Sequence, residues 1–226
     1  MVNIASGRCD RWWFGVAWEG TDLVATARGS TEEEALRTVA RCVPKGIEAR
    51  PADGSSAFCA GVVAMLGELE RGNEEHKSFS LSNAYLSEPV RRILTVAAAI
   101  PVGYVSSYGS IAKAAGSEAR AVGRIMATNP LYPIVPCHRV VGSDMSLVGY
   151  GGKQDRQALL AKLARISAEA RGATGPKDIA VSSQVLTVYP AEWVIAAARA
   201  KEKRNQEAAR RKAEREAAHR TQLRLF

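Results

Sequence analysis

The sequence predicts two small domains and a tail: an α/β unit first, a mostly helical unit after it, and a basic, helical carboxy-terminal extension. Three observations predict this. Residues 11–28 form two apolar runs around Glu19-Gly-Thr-Asp22, the pattern of a β-hairpin. Residues 87–171 carry repeated helix start and stop signals, with Gly and Pro between them. Val194–Phe226 holds ten Lys/Arg against four Asp/Glu, so the end of the chain carries +6 of the net +8. A length of 226 residues suits two cores plus a tail. The boundaries read as 1–84, 85–171 and 172–226.

In the first unit, Ser30 and Glu33 form a capping box for a helix through Val43, which Pro44 and Gly46 end. A second helix is expected from Ser55 to Arg71, because Phe58, Val62, Met65, Leu66 and Leu69 recur at helical spacing. Trp12, Trp13 and Trp18 read as strand core, with a base-stacking surface as the alternative. This unit offers no functional site of its own. In the second unit, Ser87-Glu-Pro89 starts a helix that Pro101 and Gly103 stop. Ser107–Ala115, Gly116-Ser117 and Glu118–Thr128 then read as helix, tight turn, helix. A last helix runs from about Gln154 to Arg171. Residues 172–178 are a linker by composition, Ile179–Tyr189 is strand-like, and Pro190–Arg220 is a solvated basic helix. Only Trp193, Val194 and Ile195 are suited to dock that helix.

The charge and a pI of about 9.5 permit an anionic partner, yet outside the tail the chain is nearly neutral. Cys9, Cys42, Cys59 and Cys137 show no CxxC spacing. They fit a reducing cytosol better than a disulfide framework or zinc knuckle. No signal peptide or bilayer-spanning run is visible.

The chemistry concentrates in Ile134-Val-Pro-Cys137-His138-Arg139-Val140-Val141. A thiol is a strong nucleophile as its thiolate, and a neighbouring imidazole can take its proton. Adjacent residues on a straight strand face opposite ways, so cooperation requires a turn here or a bridging water.

With Ile100-Pro-Val-Gly-Tyr-Val-Ser-Ser-Tyr108 upstream, then Ala119-Arg120-Ala-Val-Gly123, Asn129-Pro130 and Gly149-Tyr150-Gly-Gly152, the segment from Ser87 to Leu163 resembles the O6-alkylguanine-DNA alkyltransferases. The resemblance implies an RNase H-like α/β first domain and a catalytic domain with a helix-turn-helix. It implies single-turnover transfer of an alkyl group from O6-alkylguanine, with O4-alkylthymine as a related substrate, to Cys137. The base would be flipped out of duplex DNA. No cofactor or metal is implied for that step, although some members carry a structural zinc or a disulfide in the first domain. Here Cys9, Cys42, Cys59 and His76 are the residues available for either.

By the same resemblance, Cys137, His138 and Tyr150 are catalytic, with Tyr150 donating its phenol hydrogen to the departing base. Arg139 is a structural anchor. Arg120 replaces the flipped base in the stack, with a phosphate contact as its alternative role. Tyr108 presses on the target phosphate, and Ala121, Gly123 and Asn129 complete the DNA-facing set. Asn129 also links the second helix of the pair to the active-site turn. Met126, Val140, Val148 and Gly149 shape the pocket. A protein so built is expected to be a cytoplasmic, nucleoid-associated monomer. The other reading is an alkyltransferase-like damage sensor that binds without transfer.

Three departures from the family pattern stand out, one of them an apparent single-residue deletion around Gly151-Gly152. The family places a Glu three positions past a Leu-Leu pair in the last helix, to orient the histidine. After Leu159-Leu160, that position holds Leu163. Glu169 lies six residues further, about 240° round a helix of 3.6 residues per turn, and is expected to face elsewhere. Tyr132 stands in the approach to the cysteine, where some relatives have a smaller residue. Separately, Gln222-Leu-Arg-Leu-Phe226 resembles the peptides that bind DNA sliding clamps, with Gln222, Leu223, Leu225 and Phe226 as the contacts.

Overall fold

The computed structural model describes residues 1–73, 80–82 and 84–223. The first domain is a five-stranded sheet in the order β4-β1-β2-β3-β5, from β1 (Val2–Cys9), β2 (Trp12–Glu19), β3 (Asp22–Gly29), β4 (Ala49–Pro51) and β5 (Ser80–Leu81). β1, β2 and β3 form an antiparallel meander, while β4 and β5 join its edges in parallel. Strand β1 adds to the expected hairpin. Its Ser6, Gly7 and Arg8 interrupt the apolar alternation that marks a half-buried strand.

Helix α1 (Glu32–Cys42) covers one face of this sheet and α2 (Ala57–Glu70) the other. The near-continuous burial of β2 follows from that. Phe14, Val16 and Trp18 pack with Val62, Val63 and Leu66 of α2, whereas Ala17 packs with Val39 of α1. α1 lies so close that a Cβ on Gly15 would sit 2.5 Å from the Ala35 carbonyl oxygen. The cap of α1 falls one residue later than the capping box predicts. Thr31 accepts from the Glu34 amide, and the Glu34 carboxylate accepts from the Ser30 amide and hydroxyl. Trp18 is core, its ring tilted against Phe58 at 5.6 Å.

The second domain contains α3 (Glu88–Ala98), β6 (Tyr104–Ser107), α4 (Tyr108–Ala115), α5 (Ala119–Ala127), β7 (Val140–Val141) and α6 (Arg156–Glu169). Ser107 caps α4 by accepting from the Ser110 amide. Gly116 ends α4 with φ of 60°, and the Ser117 amide donates to the Ala112 carbonyl. That glycine-closed turn aims α5 away from α4. α3 supplies Ile93, Leu94, Val96 and Ala97 to the core that α4 and α5 share.

The extension does more than trail behind. Strands β8 (Lys177–Val181) and β9 (Gln184–Pro190) form a hairpin, and β9 pairs with β6, giving a second sheet in the order β7-β6-β9-β8. Helix α7 (Ala191–Leu223) then buries Ala191 and Val194 against Ile166, Val105 and Val141. From Ala200 to Glu216 every residue of α7 is exposed. Residues 177–194 therefore complete the core of the second domain, and the basic run leaves it. Among the described residues, no helix is long and apolar enough to cross a membrane.

Candidate active site

Sequence and turn geometry place Cys137 first. Pro136 fixes the backbone ahead of Cys137, and Cys137–Arg139 coil into a short 3-10 turn that leads into β7. This turn meets the requirement set by the Cys-His adjacency, since it lets neighbouring side chains leave their strand-like opposition. Cys137 lies at the base of a cleft of about 360 Å³ and is 8% exposed. The loop before it is tied to the first domain. The Thr26 amide donates to the Pro130 carbonyl at 2.8 Å, and the Thr26 hydroxyl donates to the Tyr132 carbonyl at 2.9 Å.

The cleft gathers most of the expected residues. Tyr108, Arg120, Gly123 and Met126 line the helix-turn-helix side, and Val148, Gly149 and Tyr150 line the facing loop. Four residues lie elsewhere, among them His138, which is buried behind the reactive turn and borders a separate pocket. Val140 is fully buried in the core behind the turn, so it does not shape the cleft. Ala121 packs against the core from α5. Asn129 faces inward: its Nδ2 donates to the Val135 carbonyl at 2.7 Å and its Oδ1 accepts from the Leu131 amide at 3.0 Å. These bonds hold the active-site turn, the linking role expected of Asn129.

The largest correction concerns Glu169. It does not face away: its Oε1 is 2.8 Å from His138 Nε2 and its Oε2 accepts from Arg139 Nε at 2.7 Å. The buried stripe of α6 runs through Ala158, Lys162, Ile166 and Glu169. Those spacings of four, four and three residues follow one helix face. Leu163 lies off that stripe, so no carboxylate is missing from the site. Arg139 also donates to the Ile100 carbonyl at 2.6 Å, which makes it the anchor expected of it.

The electrostatics follow from burial. His138 is 1% exposed, and burial lowers its pKa to about 4 despite the hydrogen bond to Glu169. Burial also pushes Glu169 up, but the hydrogen bonds with His138 and Arg139 outweigh it and hold the carboxyl at about 2. The pair is therefore a carboxylate and a neutral imidazole. Nε2 carries the hydrogen toward Glu169, which leaves Nδ1 as the basic nitrogen. Nδ1 is buried and has no hydrogen-bond partner among the described residues.

Burial raises the Cys137 thiol, while the nearby Asn129 amide and the Lys162 charge pull it part of the way back down. Lys162 is a residue the sequence reading missed. It is 0% exposed, donates to the Val140 and Gly149 carbonyls at 2.5 and 2.8 Å, and burial lowers its pKa to about 8. A cation fixed between the Val140 carbonyl behind the reactive turn and the Gly149 carbonyl of the cleft loop favours the thiolate. Burial, reinforced by the Cys137 charge, raises Tyr150 to about 12, so it keeps its hydrogen at neutral pH.

The expected clamp contacts cannot be placed: Leu225, Phe226 and the side chains of Gln222 and Leu223 lie outside the described residues. His76 does as well. The four cysteines are free thiols, and no group of three or more metal-ligating side chains occurs among the described residues.

Comparison with known proteins agrees with this geometry. Residues 88–165 match the family model described as the DNA-binding domain of 6-O-methylguanine DNA methyltransferase. A methylated-DNA–protein-cysteine methyltransferase of Mycolicibacterium paratuberculosis is 41% identical over 108 residues, which are 47% of this chain and 65% of the relative. One from Pyrobaculum aerophilum is 54% identical over 63 residues, 27% of this chain and 43% of the relative. The chain thus spans about two fifths to just under two thirds of these relatives. Among solved structures, the Mycobacterium tuberculosis O6-methylguanine methyltransferase superposes with a TM-score of 0.55 at 27% identity. The match covers 77% of this chain and 96% of that one. The same organism's OGT in complex with DNA matches with a TM-score of 0.54 at 27% identity, over 74% of this chain and 96% of that one. In sequence motif and in fold, the chain is similar to the O6-alkylguanine-DNA alkyltransferases.

Proposed function

We propose that this protein repairs duplex DNA by moving the alkyl group of O6-alkylguanine, or of the related O4-alkylthymine, irreversibly onto Cys137. The observation that carries this reading is a thiol at the base of a cleft beside a helix-turn-helix, backed by an imidazole whose tautomer Glu169 fixes. His138 Nδ1 takes the thiol proton, directly or through water, and the nearby Lys162 ammonium favours the resulting thiolate. Sulfur then bonds the alkyl carbon as the C–O6 bond breaks, and the electron pair leaves with the base. The Tyr150 phenol donates a hydrogen bond to the base as negative charge builds on it. A thioether has no easy reverse route, and no second thiol lines the cleft among the described residues, so each molecule acts once. The sensor reading is less well supported, because both the thiol and its oriented imidazole are present.

A target inside a duplex must be extruded, which costs a few kcal/mol of unstacking. Arg120, at the start of α5 and on the cleft wall, is placed to fill the gap. Arg120→Ala is expected to slow transfer from a duplex roughly tenfold or more, while transfer from the free modified base changes little. Rates measured in parallel on both substrates decide this: equal losses on the two would assign Arg120 to the fold instead.

The terminal peptide carries a separate proposal, that it docks on a DNA sliding clamp while the basic part of α7 acts as tether. Deleting residues 222–226 is expected to abolish clamp binding, of roughly micromolar strength, and to leave transfer on short oligonucleotides unchanged. A truncated protein that binds the clamp as well as the full chain would rule this out.

A further inference from the structure

The mechanism uses Tyr150 as a hydrogen-bond donor, but a phenol on a loop can rotate its hydrogen toward several acceptors. The structure contains a chain of groups that restricts this choice. The Tyr150 hydroxyl donates to the Tyr132 hydroxyl at 3.1 Å, and Tyr132 donates to Glu70 Oε1 at 2.6 Å. Glu70 ends α2 in the first domain, and its side chain is 6% exposed. Its other oxygen is held by Arg28 at 2.6 Å and by Arg165 at 3.0 Å. The Tyr132 ring meets the Tyr150 ring edge-on at 6.4 Å and the His138 ring at 6.5 Å, so it is wedged between both sides of the site.

We infer that Tyr132, fixed by Glu70 of the first domain, is a positioning residue that sets the Tyr150 phenol as a donor to the leaving base. The inference rests on the transfer reading above. Its logic is one of donor direction. A carboxylate accepts only, so Glu70 claims the Tyr132 hydrogen and leaves that oxygen as an acceptor. Tyr150 must then donate to Tyr132 and cannot accept from it. In the free protein the Tyr150 hydrogen rests on a neutral phenol oxygen, a weak partner. Passing it to the base costs one neutral hydrogen bond and gains a stronger, charge-assisted one as the base becomes anionic. Because Glu70 belongs to the first domain, that domain takes part in the chemistry without touching the substrate.

The test is single-turnover transfer at saturating methylated duplex for the wild type, Tyr132→Phe, Tyr150→Phe and the double variant, with duplex affinity measured alongside. Tyr132→Phe is expected to transfer roughly tenfold more slowly at unchanged affinity. The double variant is expected to be no slower than Tyr150→Phe alone, since Tyr132 acts through Tyr150. The loss should also shrink on a substrate whose leaving base is a weaker base, because such a base needs less help. A purely structural role would move neither the coupling nor this leaving-group dependence. If Tyr132→Phe does not fold, Glu70→Gln carries the same test, because an amide can turn its donor toward Tyr132 and release the fixed direction. A wild-type rate in the folded variant, or losses that multiply in the double variant, overturns the inference while leaving alkyl transfer standing. No transfer by the wild type overturns both.

Discussion

Glu169→Ala is expected to cost this protein about 3–5 kcal/mol of stability, the usual penalty for breaking a buried charge pair by removing one partner. The carboxylate serves two buried groups, His138 at 2.8 Å and Arg139 at 2.7 Å, and is itself 2% exposed. Without it, Arg139 keeps one partner, the Ile100 carbonyl, and its charge stays buried. Glu169→Gln separates stability from chemistry. It keeps the shape, yet its amide can donate to Nε2 and so hold the other imidazole tautomer. Transfer by that variant should fall roughly 10- to 100-fold, as for other groups that orient a reactive imidazole from behind, with a smaller loss of stability.

The same cluster sets the acid response. In the fold, His138 titrates at about 4 rather than 6.5, and Glu169 at about 2 rather than 4.5. Both values are depressed, so as pH falls the unfolded chain binds these protons first, and the folded state loses stability. His138 contributes to this loss from about pH 6.5 down to 4, and Glu169 from about 4.5 down to 2. Denaturant unfolding at pH 7 and pH 4 should show a lower midpoint at pH 4. An unchanged midpoint, or a Glu169→Ala protein as stable as the wild type at pH 7, would contradict this account of the cluster.

Much of the catalytic domain was legible in the sequence because its signals are local. Ser87, Ser107 and Gly116 mark helix ends where the chain does turn, and Pro136 beside Cys137 and His138 identifies the reactive turn. Glu169 was misjudged for a physical reason. Position was counted from a Leu-Leu pair, whereas the helix face that reaches the site passes through Lys162 and Ile166. Charged residues in such a stripe look outward-facing by pattern, yet these two are buried because carbonyls, His138 and Arg139 satisfy them. Strand β6 escaped notice because it has only four residues and gains its place by pairing with β9, some 85 residues later. The contact between Tyr132 and Glu70 spans 62 residues and two domains, and no local pattern encodes it. The first domain therefore seemed to lack any functional role, although Thr26, Arg28 and Glu70 support the active-site loop.

Cys137→Ala is expected to abolish transfer entirely and to leave duplex affinity nearly intact. In the proposed reaction the thiol sulfur receives the group, yet at 8% exposure in the base of the cleft it is not placed to hold a phosphate. Cys9, Cys42 and Cys59 cannot substitute, since none of them lies in the cleft, and burial raises the Cys42 and Cys59 thiols, the latter further by the Asp53 charge. Peptide mass spectrometry of the wild-type protein after mixing with a duplex containing O6-methylguanine tests the central claim most directly. One methyl group on the peptide containing Cys137, in an amount equal to the guanine restored and never exceeding one per molecule, is the predicted result. An unmodified Cys137 on a protein that binds the duplex, or a methyl group on any other cysteine, would contradict it.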